Sequence, residues 1–193
     1  MQLRLIQRSQ NEIITLKEAK DYLRVSHDFD DELISFLIQS TRASIETIIQ
    51  KSIMKQTWSY VLRRDEFCNA NSDGWPYVIG SIMKIPLPRS PALNILQVFF
   101  DEREIDRRKI HLEKMNNLSC AIIEDIKNFD KSREITISYE AGLASSRQEI
   151  PAQIKLANLI MIANAYQNRQ MEAGQLATGV SELLKPFLDL RIF

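Results

Sequence analysis

The chain has 193 residues, 45% of them hydrophobic and 26% charged, with 25 Lys plus Arg against 25 Asp plus Glu. That length and apolar share suit a folded globular protein and exclude a disordered one. The charge balance argues against broad electrostatic attachment to nucleic acid or anionic membrane. No apolar run is long enough to span a bilayer, and the opening MQLRLIQRSQNEII has no signal-peptide core. The two cysteines, Cys68 and Cys120, lack metal-ligand spacing. They read as reduced thiols of a cytoplasmic protein, a single disulfide being the alternative.

In chain order, TLKEAKDYLRV comes first. Thr15 followed by Glu18 forms a capping box, and Leu16, Ala19, Tyr22 and Leu23 fall on one face, so a short helix is expected from Leu16 to Arg24. Next, Asp28, Asp30 and Asp31 stand where a helix start favours caps and negative charge. Leu33, Leu37, Ile38, Ile45, Ile48 and Ile49 then recur at helical spacing, which predicts a long helix from Asp31 to Gln50.

The pattern then changes period. QTWSYVLRR alternates as a half-buried strand does, and SIMKIPLP, LNILQVFFD, SCAIIE and REITISYEAG extend the series to five or six strands. Pro86, Pro88 and Pro91 suit edges and turns. FCNANSDGWP reads as a loop, and DEREIDRRKIHLEK as a solvated surface or hairpin. Helix returns at EIPAQIKLANLIMIANAYQNR, with Pro151 in the first turn. From Leu156 to Tyr166 apolar residues ring the helix, so it is buried on more than one side. MEAGQLATG reads as a flexible connector, and VSELLKPFLDLRIF as a closing short helix with an apolar tail. The order of elements points to an α+β fold: a helical core of two N-terminal helices plus a long C-terminal helix, with a small antiparallel β region inserted.

Chemistry is hard to find in this chain. His27 and His111 have no partners at ligand spacing, so no metal site is expected. Counted from Asp28, the sixth and twelfth positions of a calcium loop hold Leu33 and Gln39 instead of glycine and glutamate. The five glycines form no phosphate-cradling pattern, and no nucleophile has an evident base. No catalytic residue and no cofactor is expected. TLKEAKDYLRVS is similar to the opening helix of small helix-turn-helix proteins, which makes DNA binding the alternative function. Against it, Asp28, Asp30, Asp31 and Glu32 at the start of the next helix would repel phosphates.

The whole ordered set resembles the head–tail connector (adaptor, head-completion) proteins of long-tailed phages and gene transfer agents, in the branch carrying a β insertion. ITLKEAKDYLRVSHDFDDELISFLIQSTRASIETI resembles the family's opening helices, and KQTWSYVL its first inserted strand. IPLPRSPALNILQVFFDE resembles the proline-rich turn and following strand. ITISYEAGLASSRQEIPAQIKLANLIMIANAYQNRQ resembles the last strand and long helix, and VSELLKPFLDLRIF the terminal segment. The resemblance implies one connector domain, helical over 15–50 and 150–188, with a β insertion over 55–140 and a docking segment over 180–193. It implies a structural subunit, not an enzyme, in a ring of usually twelve copies under the portal, in the neck of a virion or phage-like particle assembled in the host cytoplasm. Its partners would be the portal protein, further copies of itself and the next tail or head-completion component, with no membrane, and DNA would pass without specific binding.

On that reading Leu156, Leu159, Ile160, Ile162 and Tyr166 are the candidate subunit interface. Leu183, Leu184, Phe187, Leu188, Leu190, Ile192 and Phe193 are the candidate portal-docking residues. Leu183, Leu184 and Phe187 suit a helix in an apolar groove, whereas Leu188, Leu190 and Ile192 alternate with Asp189 and Arg191 as an added strand does. Folding of this tail back onto its own domain is the competing reading. In isolation a monomer or loose oligomer is expected, because ordering on a template carries an entropic cost.

Overall fold

A computed structural model describes residues 1–63, 77–115, 118–124, 126, 133–168 and 179–188. The expected loop FCNANSDGWP and the connector stretch MEAGQLAT lie outside them. In chain order the elements are β1 (Gln2–Gln7), α1 (Leu16–Leu23), α2 (Asp31–Ile49), β2 (Gln56–Arg63), β3 (Tyr77–Ile79), β4 (Ile82–Leu87) and β5 (Ala92–Phe100). They continue with β6 (Arg103–Glu104), β7 (Ile110–Met115), β8 (Leu118–Glu124), β9 (Glu134–Ala141), α3 (Ala152–Gln167) and α4 (Val180–Leu184). They divide between two compact units, one holding Met1–Ser9 and Lys55–Leu143, the other Gln10–Met54 and Ala144–Leu190.

The first unit is built of two antiparallel sheets, ordered β1-β2-β9-β5-β6 and β3-β4-β8-β7. Strand β9 shows why: in EITISYEA every second residue is buried, as the period-two pleat requires when one face meets a core. Ile135, Ile137 and Tyr139 point inward with Leu62, Ile95 and Val98, and Met83, Ile85, Leu87, Ala121 and Ile123 of the second sheet share the same core. Strand β5 is interrupted twice in its pairing with β9, between Ala92 and Asn94 and between Ile95 and Gln97. The intervening residues, Leu93 and Leu96, stay about two-fifths exposed, as bulges re-aim side chains.

The second unit carries the helices. The capping box of α1 is present: Thr15 Oγ1 accepts from the Glu18 N–H at 3.0 Å, and Glu18 Oε2 accepts from the Thr15 N–H at 2.6 Å. That backbone bond holds the Glu18 carboxyl below its ordinary range. Thr15→Ala is expected to destabilise this unit by about 1 kcal/mol, seen as a lower urea midpoint at unchanged slope. Helix α2 buries Ile34, Ile38, Thr41, Arg42, Ile45, Glu46 and Ile49. Thr41 Oγ1 accepts from the Asn158 amide of α3 at 3.0 Å and donates to the Leu37 carbonyl at 2.6 Å, which fixes the register of the two helices.

The α+β class stands, but the helical core with a small inserted β region is corrected. Among the described residues nine strands in two sheets close around a core of their own, which makes the β region a principal unit. The helices are not two N-terminal ones plus one long C-terminal one: four are present among the described residues, and Val180 and Leu184 of α4 are fully buried. A strand, β1, also precedes them and pairs with β2. Its alternation is short and edge-exposed, so it carries little signal in the sequence.

Candidate assembly surfaces

The turn between α1 and α2, RVSHDFD, is held by charge. Lys20 Nζ donates to Asp28 Oδ1 at 2.7 Å and to Asp31 Oδ1 at 2.6 Å, and Tyr166 Oη donates to Asp30 Oδ2 at 2.5 Å. Asp30 is the N-cap of α2 by position, yet its side chain makes no capping bond, because the hydroxyl of Tyr166 takes it instead. On this turn stands Phe29, 96% exposed, its ring 5.8 Å from that of His27.

Pairing with Lys20 pulls the Asp28 carboxyl below its ordinary value of 3.8, and the bonds to Asp28 and Asp31 push Lys20 above 10.5. A depressed carboxyl stabilises the fold above its unfolded pKa and loses that effect as pH falls through its folded pKa. A raised amine stabilises below its unfolded pKa and loses the effect as pH rises through its folded one. The turn is therefore expected to loosen below about pH 4 and again above about pH 10.5, and to hold between. Amide exchange of residues 28–31 against pH checks this; protection that is flat across the acid limb would refute it.

Helix α2 turns an unusual face outward. Every exposed residue from Leu33 to Gln50 is uncharged: Leu33, Phe36, Gln39, Ser40, Ala43, Ser44, Thr47 and Gln50. Phe36 is 66% exposed. The hydroxyls of Ser44 and Thr47 donate back to the Ser40 and Ala43 carbonyls at 3.1 and 2.9 Å, so covering this face strands neither of them.

The sequence-predicted residues of α3 separate. Leu156 is 41% exposed, Leu159 and Ile160 are half-buried, and Ile162 is fully buried. Half-buried Tyr166 donates to Asp30. At the other end, Leu184 is fully buried, while Leu183, Phe187 and Leu188 are half-buried. Leu190, Ile192 and Phe193 lie outside the described residues. Phe29 and Phe36 are what sequence reasoning missed; their signal was aromatic residues off the buried stripe of α2. Among the described residues no cluster of His, Cys, Asp or Glu is able to hold a metal ion, and no helix is long and apolar enough to cross a membrane.

Residues 13–73 match the family model of phage gp6-like head-tail connector proteins. Over those residues, about a third of its length, the chain is similar to that family. No curated protein matches the sequence closely. Among solved structures the chain is similar to a chain in the neck of an empty GTA particle computed with C6 symmetry, at 18% identity and a TM-score of 0.73, covering 100% of this chain and 98% of that one. A chain of the native gene transfer agent virion matches at 17% identity and a TM-score of 0.73, with 100% and 98% covered. A chain in the neck of the native GTA particle computed with C12 symmetry matches at 16% and 0.72, over the same shares. At such identities the likeness is one of fold, and it extends over the whole chain.

Proposed function

We propose that this connector is a structural subunit of the neck, repeated in a ring beneath the portal, where it extends the DNA channel and joins capsid to tail. The observation that carries the reading is the family match over 13–73 combined with a full-length fold likeness to neck chains of particles computed with six-fold and twelve-fold symmetry. A formal net charge of +0 suits a wall past which DNA slides without being gripped. The role is one of assembly, without catalysis or cofactor. Leu156, Leu159 and Ile160 are the residues of α3 suited to meet a neighbouring copy. Because Leu184 is fully buried, the proposed portal docking rests on half-buried Leu183, Phe187 and Leu188 and on the residues that follow, Leu190, Ile192 and Phe193 among them.

The test is loading of the portal ring from the same particle, weighed by native mass spectrometry. A chain stopped at Leu188 is the right comparison, since stopping at Gly179 would strip Val180 and Leu184 from the core. The full chain is expected to load stoichiometrically and the shortened chain to lose at least about tenfold in affinity, the effect of roughly 1.4 kcal/mol. Equal loading would remove the docking role from the residues after Leu188; no loading by the full chain would remove the connector ring.

A further inference from the structure

We propose that neighbouring copies meet head to tail, the uncharged outer face of α2 in one copy receiving the outer stripe of α3 in the next. The inference rests on the ring reading and names its contact. A closed ring needs a heterologous contact, in which two different patches of each copy are used. The helical unit offers two, on opposite sides of one helix pair. Helices α2 and α3 face each other through Thr41 and Asn158. At 100° per residue, Phe36 and Ala43 lie on the far side of α2 from Thr41, and Leu156, Ile160 and Ala163 on the far side of α3 from Asn158.

Both faces lack the charge that solvated helix faces ordinarily carry. The exposed residues of α2 from Leu33 to Gln50 include none, and α3 holds only Lys155 in sixteen residues. In a chain that is 26% charged, two such faces on one unit mark surfaces destined to be covered. The outer residues Ser40, Ala43 and Ser44 of α2 are small and exposed, which suits them to receive the larger Leu156 and Ile160 of a neighbour as ridges. Exposed Phe36 on the helix and Phe29 on the turn are the aromatic anchors available on this side. Lys20 and Tyr166 fix the turn beforehand, so little ordering is left for Phe29 on contact.

Phe36→Glu and Leu156→Glu test the contact, with Ala43→Arg as a second change on the α2 face. All three positions are exposed, so the folded state is expected to survive, and circular dichroism melts verify it. Each variant alone is expected to load the portal at least about tenfold more weakly than the unaltered chain, or 1.4 kcal/mol. Phe36→Glu keeps a good α3 stripe and Leu156→Glu keeps a good α2 face. Their equimolar mixture should therefore give one-to-one pairs and no closed ring. Variants that load like the unaltered chain would overturn the contact while leaving the ring intact. Loss with the α2 changes but not with Leu156→Glu would assign the α2 face to another partner and overturn it too. Failure of the unaltered chain to load would instead bring down the ring reading itself.

Discussion

Arg42→Met is expected to cost the helical unit about 3 kcal/mol. Arg42 is an arginine on the buried face of α2, its side chain 7% exposed. Its Nε donates to Glu12 Oε2 at 2.7 Å and its Nη1 to Glu46 Oε2 at 3.1 Å. The other oxygen of Glu46 accepts the backbone N–H of Ile53 at 2.9 Å, and the Glu12 carbonyl accepts from Arg147 Nε at 3.2 Å. Arg42, Glu12, Glu46 and Arg147 thus link the segment before α1, α2, the chain just beyond α2 and the approach to α3. Methionine keeps most of the volume but leaves Glu46 charged and nearly buried without its cation. Removing one partner of a buried pair is costly for that reason, whereas removing both charges together is often nearly neutral. Arg42→Met with Glu46→Leu is accordingly expected to recover about half of the loss, the remainder reflecting the Ile53 N–H left without its acceptor and Glu12 left without Arg42. Urea unfolding followed by helical circular dichroism measures both. A single variant within about 0.5 kcal/mol of the unaltered chain would show the network to be ornamental.

That arginine also marks where the sequence ceases to be readable. The length of α2 follows from the helical spacing of Leu33, Leu37, Ile38, Ile45, Ile48 and Ile49, and its start at Asp31 from the acidic residues Asp28, Asp30 and Asp31. The face does not: counting apolar residues alone placed Leu33 inward, and the structure exposes it, because Thr41, Arg42 and Glu46 complete the buried stripe with internal hydrogen bonds. Polar groups become buried only when partners meet them, and Glu12 lies thirty residues away in the chain, beyond the reach of any local pattern. Thr15 and Glu18 were legible for the converse reason, their bonds being local. The strands β2, β4, β5, β8 and β9 announced themselves by alternation and proline punctuation. Their closure into two sheets with one core did not, since pairing β2 with β9 joins residues more than seventy apart. The candidate surfaces were half legible. The all-round apolar character of α3 pointed to Leu156 and Ile160, but the missing charge on the outer face of α2 acquires meaning only once the inner face is known.

Tyr139→Ala should be the most damaging single change in the sheet unit, at about 3–5 kcal/mol. Tyr139 is fully buried in β9, the strand that joins β2 to β5, where it stands opposite Trp58 and Ile95. Its Oη donates to the Pro88 carbonyl at 2.7 Å, tying the middle of the sheet to the turn after β4. Alanine would remove the ring from a core that both sheets share and leave that carbonyl without its donor. Tyr139→Phe separates the two effects, because it keeps the ring and removes only the hydroxyl, at an expected cost of about 1 kcal/mol. Denaturant unfolding should therefore rank the chain above Tyr139→Phe and Tyr139→Phe well above Tyr139→Ala. If phenylalanine cost as much as alanine, the hydrogen bond to Pro88 would outweigh the packing, and the turn, not the core, would be what the tyrosine holds.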